Sequence, residues 1–256
     1  MKKNKNRILK NWIVIVMFSI FMTLFVFSSY KIIMWKLNVD KNNTINKEII
    51  KKNIKIDNTE KNKKYNVDFV SLKKQNFDTI AYLKVDGTSI DYIVVKGKNN
   101  KYYLNHNFNK EYNVAGWVFA DYKNKFDGTD KNIVIYGHNT KDGSMFGTLN
   151  KVLNENWQNE ENNLKIVLVT ERKEYLYQVF STYRIKAEEY YINTEFKSND
   201  SFYNFLSTIK NRSNHNYKTN VNPNDKILTL STCSESGKER VVLHAKKLLN
   251  KELSSR

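Results

Sequence analysis

A single cysteine, Cys233, stands in 256 residues, so no disulfide can close within the chain and a zinc site built from two or more of its own thiolates is excluded. There is no HExxH segment, and no pair of histidines at helical spacing from which a histidine–carboxylate zinc site could start, so we assign no metal and no dissociable cofactor. Zinc-finger spacings and RNA-binding signatures are missing as well. The basic residues are scattered among asparagines instead of gathered in an aromatic-interleaved patch, which argues against nucleic acid as a partner. Internal repeats and low-complexity domains are also lacking.

What is present is a one-sided charge, formally +17, which predicts attraction to acidic lipid head groups or to anionic cell-wall polymers. The apolar and aromatic fractions, 40% and 13%, are enough to build a core. The length suits one good-sized domain with an appendage.

The appendage lies at the N-terminus. Lys2, Lys3, Lys5, Arg7 and Lys10 precede nineteen uncharged residues, Trp12 to Tyr30, and as a helix at about 1.5 Å per residue that run crosses a bilayer. The run exceeds the usual apolar core of a signal peptide, and no small-x-small cleavage site follows, so a retained anchor is expected. Basic residues on the short side place residues 1–10 in the cytoplasm and everything after the span (11–30) outside, although Lys31 and Lys36 pull the other way. Residues 31–65 are rich in Lys and Asn, with Ile45, Ile49, Ile50, Ile54 and Ile56 at partly helical spacing. They read as a juxtamembrane stalk, with a docking helix at its end as one reading.

Residues 66–256 form the expected folded domain. Ile80–Val85 and Ile90–Val95 flank Asp86-Gly87, a favoured hairpin turn pair. Further strands are expected at Gly116–Ala120, Asn132–Tyr136, Leu164–Val169, Glu174–Tyr183, Lys226–Ser231 and Val241–Ala245, all rich in Val, Ile, Tyr and Phe. Eight short strands suggest a mainly β fold, either a closed barrel or a sandwich. Helices are expected at Met145–Leu153 and at Ser201–Lys210. In the second, Phe202, Phe205, Leu206 and Ile209 repeat at helical spacing behind an Asp200 or Ser201 cap.

Three residues of chemical interest sit where apolar strands end. Lys226-Ile-Leu-Thr-Leu-Ser-Thr-Cys233 delivers a cysteine just before the chain turns polar, and Asn132-Ile-Val-Ile-Tyr-Gly137 delivers His138 in the same way. Arg240 opens the next strand, and Gly237 permits a return that brings its guanidinium back towards the thiol. A thiolate is a nucleophile, an imidazole can shuttle its proton, and a fixed cation offsets charge developing on an attacked carbonyl oxygen. The bland alternative is that Cys233 is a small buried hydrophobe and that His138 caps a turn. His106, His215 and His244 read as structural.

Thr229-Leu-Ser-Thr-Cys233 followed by Arg240, with Tyr136-Gly-His138-Asn upstream and an N-terminal anchor, resembles the sortase family over about Phe69 to Leu248. The helix before the cysteine strand and the extra N-terminal segment resemble class B. The resemblance implies an eight-stranded sortase-type β-barrel with a few helices behind a transmembrane helix. It implies cleavage of a C-terminal sorting motif after Thr, a thioester on Cys233, and transfer to an amine of peptidoglycan or its lipid-linked precursor. His138 would move the protons and Arg240 would stabilise the oxyanion. Leu104, Tyr191, Ile192, Ser231 and Thr232 match the class B substrate groove, with core packing as the other reading of the first three. Ser234 departs from the acidic residue that some class B members carry there. The expected partners are surface proteins bearing the motif, the cell wall and the membrane. Two rivals share these residues: a cysteine endopeptidase that hydrolyses its thioester, and a non-catalytic cationic wall- or membrane-binding module.

Overall fold

The computed structural model describes residues 2–57, 63–233 and 238–248, with side chains for 10–57, 63–232 and 238–248. In chain order its main elements are α1 (Lys2–Asn53), β1 (Ile54–Asp57), β2 (Lys64–Val67), α2 (Phe69–Gln75), β3 (Thr79–Val85), β4 (Asp91–Val95), β5 (Phe119–Ala120), β6 (Asn132–His138), α3 (Glu155–Gln158), β7 (Lys165–Thr170), β8 (Glu174–Lys186), α4 (Asn199–Asn211), β9 (Ile227–Cys233) and β10 (Glu239–Lys247).

Strands β3 to β10 close into a barrel, not a sandwich, in the order β10-β8-β7-β3-β4-β5-β6-β9. Two of the pairings are parallel, β4 with β5 and β6 with β9, and the rest are antiparallel. Strands β9 and β10 read as nearly continuous apolar runs because both of their faces are buried. Leu228, Leu230, Val241 and Leu243 join the main core. Ile227 and Val242 pack outside it with Phe180 and Tyr183 beneath Phe202, Phe205, Leu206 and Ile209 of α4. Each of those four fully buried side chains contributes roughly 1.5–3 kcal/mol before entropy is counted. The cap of α4 is Ser198, whose hydroxyl accepts from Ser201 N–H in a reciprocal capping box, so the helix begins earlier than an Asp200 or Ser201 cap would place it.

Three local expectations are revised. The β3–β4 connection is closed by Val85 N–H to Ile90 O at 3.0 Å, so it is longer than a two-residue turn. Only Phe119–Ala120 of the expected strand at 116–120 pairs. Gly116 has φ +56°, and a Cβ there would lie 2.4 Å from the Tyr103 carbonyl oxygen, so the chain arrives bent. At 145–153 the helical part is a 3-10 turn, Gly147–Leu153, because Met145 takes a left-handed φ of +49° and bridges to Asn139.

The apolar N-terminal run and the segment after it form one unbroken helix, α1. Its last turns lie on the barrel, where Val39 and Ile49 are buried, Asn42 Nδ2 donates to Gly116 O at 2.8 Å and Asn46 Nδ2 donates to Asp91 O at 2.9 Å. The antiparallel pair β1–β2 follows at 54–67.

A buried polar chain ties the barrel to the segment beyond β8. His244 Nε2 lies 2.8 Å from Tyr183 Oη, its Nδ1 lies 2.9 Å from Thr229 Oγ1, and Thr229 Oγ1 donates to Asn132 Oδ1 at 2.7 Å. Since Thr229 spends its proton on Asn132, the imidazole must donate through Nδ1 and accept from Tyr183 at Nε2. Asn132 Nδ2 in turn donates to Asn193 O at 2.9 Å, just after the 3-10 turn Tyr190–Ile192.

Burial, with a smaller contribution from the Arg212 charge, pushes the His244 pKa down to about 3. An unfolded histidine titrates at about 6.5, so as the pH falls through that value the unfolded chain takes up the proton first and the folded state loses stability down to about pH 3. At pH 5 this single group should cost about 2 kcal/mol. The thermal midpoint of the detergent-solubilised chain should fall between pH 7 and pH 5, and less steeply in His244→Gln. Equal slopes would contradict this account.

Candidate active site

Strand direction assembles the site. Because β6 and β9 run parallel, their C-terminal ends reach the same rim, and the ladder pairs Gly137 with Thr232 and His138 with Cys233. Because β10 runs antiparallel to β9, it is the start of β10 that reaches this rim. Val242 pairs with Ser231, and Val241 N–H donates to Thr232 Oγ1 at 2.9 Å. Arg240, one residue earlier, therefore stands at the level of Cys233 on the side opposite His138. The structure thus brings the three candidates together on three adjacent strands. The thiol of Cys233 and the segment Ser234–Gly237, where the return turn is expected, lie outside the described residues.

His138 is half-buried and held at one nitrogen, with Nε2 2.7 Å from the carbonyl oxygen of Leu104. A carbonyl can only accept, so Nε2 carries a hydrogen and the neutral imidazole keeps its lone pair on Nδ1. The backbone oxygen of His138 accepts from Phe146 N–H at 2.9 Å, which ties the strand end to the following loop. Arg240 is half-buried too, and its Nη1 donates to Glu239 O at 3.0 Å.

Beside this row runs a cleft of about 540 Å³. Its floor is a cross-strand line of registered neighbours, Phe119, Tyr136 and Ser231. Leu104 and Asn100 line it, as do Tyr191 and Ile192, and Arg240 is also part of its wall. Tyr191 is buried at 2% exposure, with Oη 3.0 Å from Ser231 Oγ, so it packs as core and lines the cleft at once. Thr232 does not line the cleft: it is buried, and its hydroxyl is used in joining β9 to β10. A second hollow of about 330 Å³ continues past Asn100 and Ile192 to Asp121, Tyr122 and Thr194.

Sequence reasoning missed the network beneath this cleft. Asp121 is buried and accepts from Asn100 Nδ2 at 2.8 Å, from Tyr136 Oη at 2.8 Å and from Lys123 N–H at 2.9 Å. Asn100 Oδ1 accepts from Tyr122 N–H at 3.0 Å, so its amide is fixed at both ends. Asp121 carries the signal that marked His138, a polar residue directly after an apolar strand, whereas Asn100 sits in a Lys- and Asn-rich loop with no periodicity to single it out. The other histidines lie elsewhere: His106 stacks on Tyr102 with centroids 4.0 Å apart, and His215 meets Tyr217 edge-on. Among the described residues no three His, Cys, Asp or Glu side chains converge as metal ligands would.

A family model for the sortase domain matches residues 83–248. Sortase B of Listeria monocytogenes is 36% identical over 147 residues, 56% of this chain and 59% of that protein, so the match spans less than two thirds of the curated relative. A solved sortase B from B. anthracis, in complex with AAEK1, superposes with a TM-score of 0.73 at 32% identity over 83% of this chain and 98% of that one. A Staphylococcus aureus sortase B–substrate complex gives 0.67 at 34% identity, over 71% and 85%.

The glycine before His138 is required by packing. A Cβ on Gly137 would lie 2.6 Å from Cγ of the fully buried Phe146. Gly137→Ala should therefore destabilise the fold by about 1–3 kcal/mol through overpacking, read as a thermal midpoint lower by several degrees. An unchanged midpoint would contradict the contact.

Proposed function

The chain belongs to the sortase family, and from that premise we propose that it is a membrane-anchored cysteine transpeptidase of the class B type, with Cys233 as nucleophile, His138 as proton carrier and Arg240 as oxyanion stabiliser. The observation that carries this reading is the register of three neighbouring strand ends, His138 beside Cys233 on β6 and β9 and Arg240 at the same level on β10.

In this mechanism the Cys233 sulfur, its proton passed to His138, attacks the carbonyl carbon of the Thr in a C-terminal sorting motif. Negative charge moves to the carbonyl oxygen, where the Arg240 guanidinium meets it. Collapse breaks the peptide bond, and the leaving amine takes its proton from His138. A thioester remains on Cys233. An incoming amine then gives a proton back to His138 and attacks the thioester, a new peptide bond forms, and the thiol is released. Since Nε2 is committed to Leu104 O, Nδ1 is the nitrogen assigned to both transfers. The hydrogen bond at Nε2 favours that role, because a ring held at one end presents the other in a fixed direction.

The apolar cleft lined by Leu104, Tyr191, Ile192 and Ser231 is assigned to the motif upstream of the scissile bond. The proposed substrates are surface proteins carrying the motif, and the proposed acceptor is an amine of peptidoglycan or of its lipid-linked precursor. That a similar S. aureus sortase B was solved as a substrate complex supports reading this chain as one that binds a substrate. Helix α1, whose most apolar stretch has mean hydropathy 2.3 and is unburied, is assigned as the span. The basic residues 2–10 are assigned to the cytoplasmic side and the barrel to the outside. On this reading residues 11–30 cross the membrane, 31–65 link, and 66–256 form the catalytic unit.

Incubating the full chain in detergent with LPxTG-like and NPxTN-like peptides, with and without an added amine, tests the reading by mass spectrometry. An acyl-enzyme on Cys233 and an aminated product are expected, neither should form in Cys233→Ala, and Arg240→Ala should lose about 10²–10³-fold in rate, the usual cost of one oxyanion donor. Hydrolysed product alone would make the chain an endopeptidase. Aminated product from Cys233→Ala would overturn the mechanism.

A further inference from the structure

Two consecutive asparagines of α1 reach the two loops that hold His138. Asn42 meets the loop that leads into β5. Its Nδ2 donates to Gly116 O at 2.8 Å, and its Oδ1 accepts from Asn113 Nδ2 at 2.8 Å. Asn113 Nδ2 also donates to the Asn38 carbonyl at 2.9 Å, and Asn113 Oδ1 accepts from Ala115 N–H at 2.9 Å, so this amide is used at both ends. Asn43 meets the loop that follows His138, where its Nδ2 donates to Asp142 Oδ2 at 3.1 Å.

The first contact leads to the imidazole. Asn113 N–H donates to Asn105 O at 2.9 Å and Trp117 N–H donates to Tyr103 O at 2.9 Å, so residues 113–117 bracket the turn at 103–105. Between those two bonds Gly116 lies against the turn, where a Cβ would stand 2.6 Å from Leu104 O. That oxygen is the acceptor for His138 Nε2 at 2.7 Å. The path from α1 to the ring is therefore Asn42, Gly116, the Leu104 carbonyl and His138, each step a hydrogen bond or a direct contact. On the other side, Asp142 Oδ1 accepts from Ser144 N–H at 3.1 Å and from Ser144 Oγ at 2.8 Å, and Phe146 N–H closes the same loop on His138 O at 2.9 Å.

Docking alone does not call for these amides. Val39 and Ile49 already bury apolar surface of α1 on the barrel, whereas Asn42 and Asn113 are 1% and 0% exposed and have given up their hydration. What a buried amide pair adds is direction, because its bonds fix where the Gly116 carbonyl stands and, through the contact with Gly116, where the Leu104 carbonyl stands.

We propose that α1 orients the His138 imidazole: Asn42 with Asn113, and Asn43 through Asp142, are positioning residues that touch neither substrate nor the reacting atoms. The inference rests on the reading of His138 as proton carrier. A ring that is no longer held presents Nδ1 off line, and a misplacement of about 1 Å can cost about 10²-fold in rate.

The test uses the full chain in detergent, with Asn46→Ala as a matched control. Asn46 also sits on α1 and also donates to a barrel carbonyl, Asp91 O at 2.9 Å, but on β4 and outside both loops. The kcat for transfer of a sorting peptide to an amine should fall about 10–100-fold in Asn42→Ala and about threefold or more in Asn43→Ala, and stay within about twofold in Asn46→Ala. Proton NMR of the ring N–H groups gives a readout independent of turnover. The His138 Nε2–H signal, assigned by its loss in His138→Gln, should disappear into water exchange in Asn42→Ala and persist in Asn46→Ala, with the Nδ1–H of the buried His244 as the reference for an intact fold. An equal fall in Asn46→Ala would reduce the contacts to docking and overturn the proposal, as would an unmoved His138 signal in Asn42→Ala. If Asn42→Ala loses the His244 signal too, Asn43→Ala decides, because its bond is exposed and its fold is not at stake; an unchanged rate there overturns the proposal. No product from the unaltered chain would instead remove the transpeptidase reading, with the ring-proton comparison still deciding whether α1 holds His138.

Discussion

The parallel ladder between Asn132–His138 and Ile227–Cys233 sets the conditions for everything at the candidate site. Parallel strands cannot be joined by a tight turn, so the chain between them must cross over, and here the crossover includes β7, β8, the 3-10 turn Tyr190–Ile192 and α4. The same geometry that brings His138 level with Cys233 thus supplies the part of the cleft wall formed by Tyr191 and Ile192. A slip of one residue would turn each inward side chain outward. Two features resist it: the lumen-facing Leu228 and Leu230, and the buried hydrogen bond from Thr229 to Asn132 near the far end of the ladder. That bond belongs to the chain through His244, Tyr183 and Asn193, so register and cleft wall are fixed by one continuous network.

Much of this was legible in the sequence, for a physical reason. Strands that are apolar on both faces stand out, and a polar residue at the end of such a strand has to lie at a rim. That logic singled out Cys233, His138 and Arg240, whose positions the strand register brings to one rim, and the 3.6-residue period of Phe202, Phe205, Leu206 and Ile209 identified α4. A docking helix is one reading of the isoleucine spacing at 45–50, and Ile49 is indeed buried on the barrel; the asparagine contacts that fasten α1 and the network under the cleft were not legible, because this chain buries asparagine. Asn42, Asn76, Asn107, Asn113, Asn124 and Asn132 are all buried. Several bind backbone carbonyls: Asn42 at Gly116, Asn76 at Phe108 and Asn124 at Asn132. An Asn-rich stretch looks like a solvated stalk or loop to any reading based on polarity. Here its side chains take the place of the backbone pairing that an irregular segment lacks, which is how long loops can lie against a barrel without unsatisfied carbonyls. Thr232 illustrates the reverse limit: next to the candidate nucleophile in sequence, it is buried away from the cleft, and its hydroxyl accepts from Val241 N–H in joining β9 to β10.

The unbroken helix from the apolar run to Asn53 also bears on function. A flexible stalk would let the barrel sample many heights and orientations. A helix that packs on the barrel through Val39, Asn42 and Ile49 would, on the proposed reading of α1 as a membrane span, hold the cleft at a set distance from the bilayer, where the proposed tethered substrate and acceptor amine would both be present at high local concentration.

The central claim is that Cys233 and His138 act as a pair because two parallel strands end side by side. Since Cys233 is the only thiol in the chain, its alkylation by iodoacetamide can be followed as a function of pH in the folded protein. The account predicts alkylation without unfolding and a pH profile that shifts when His138 is replaced by glutamine. A thiol that reacts only on unfolding, or a profile identical in His138→Gln, would contradict it.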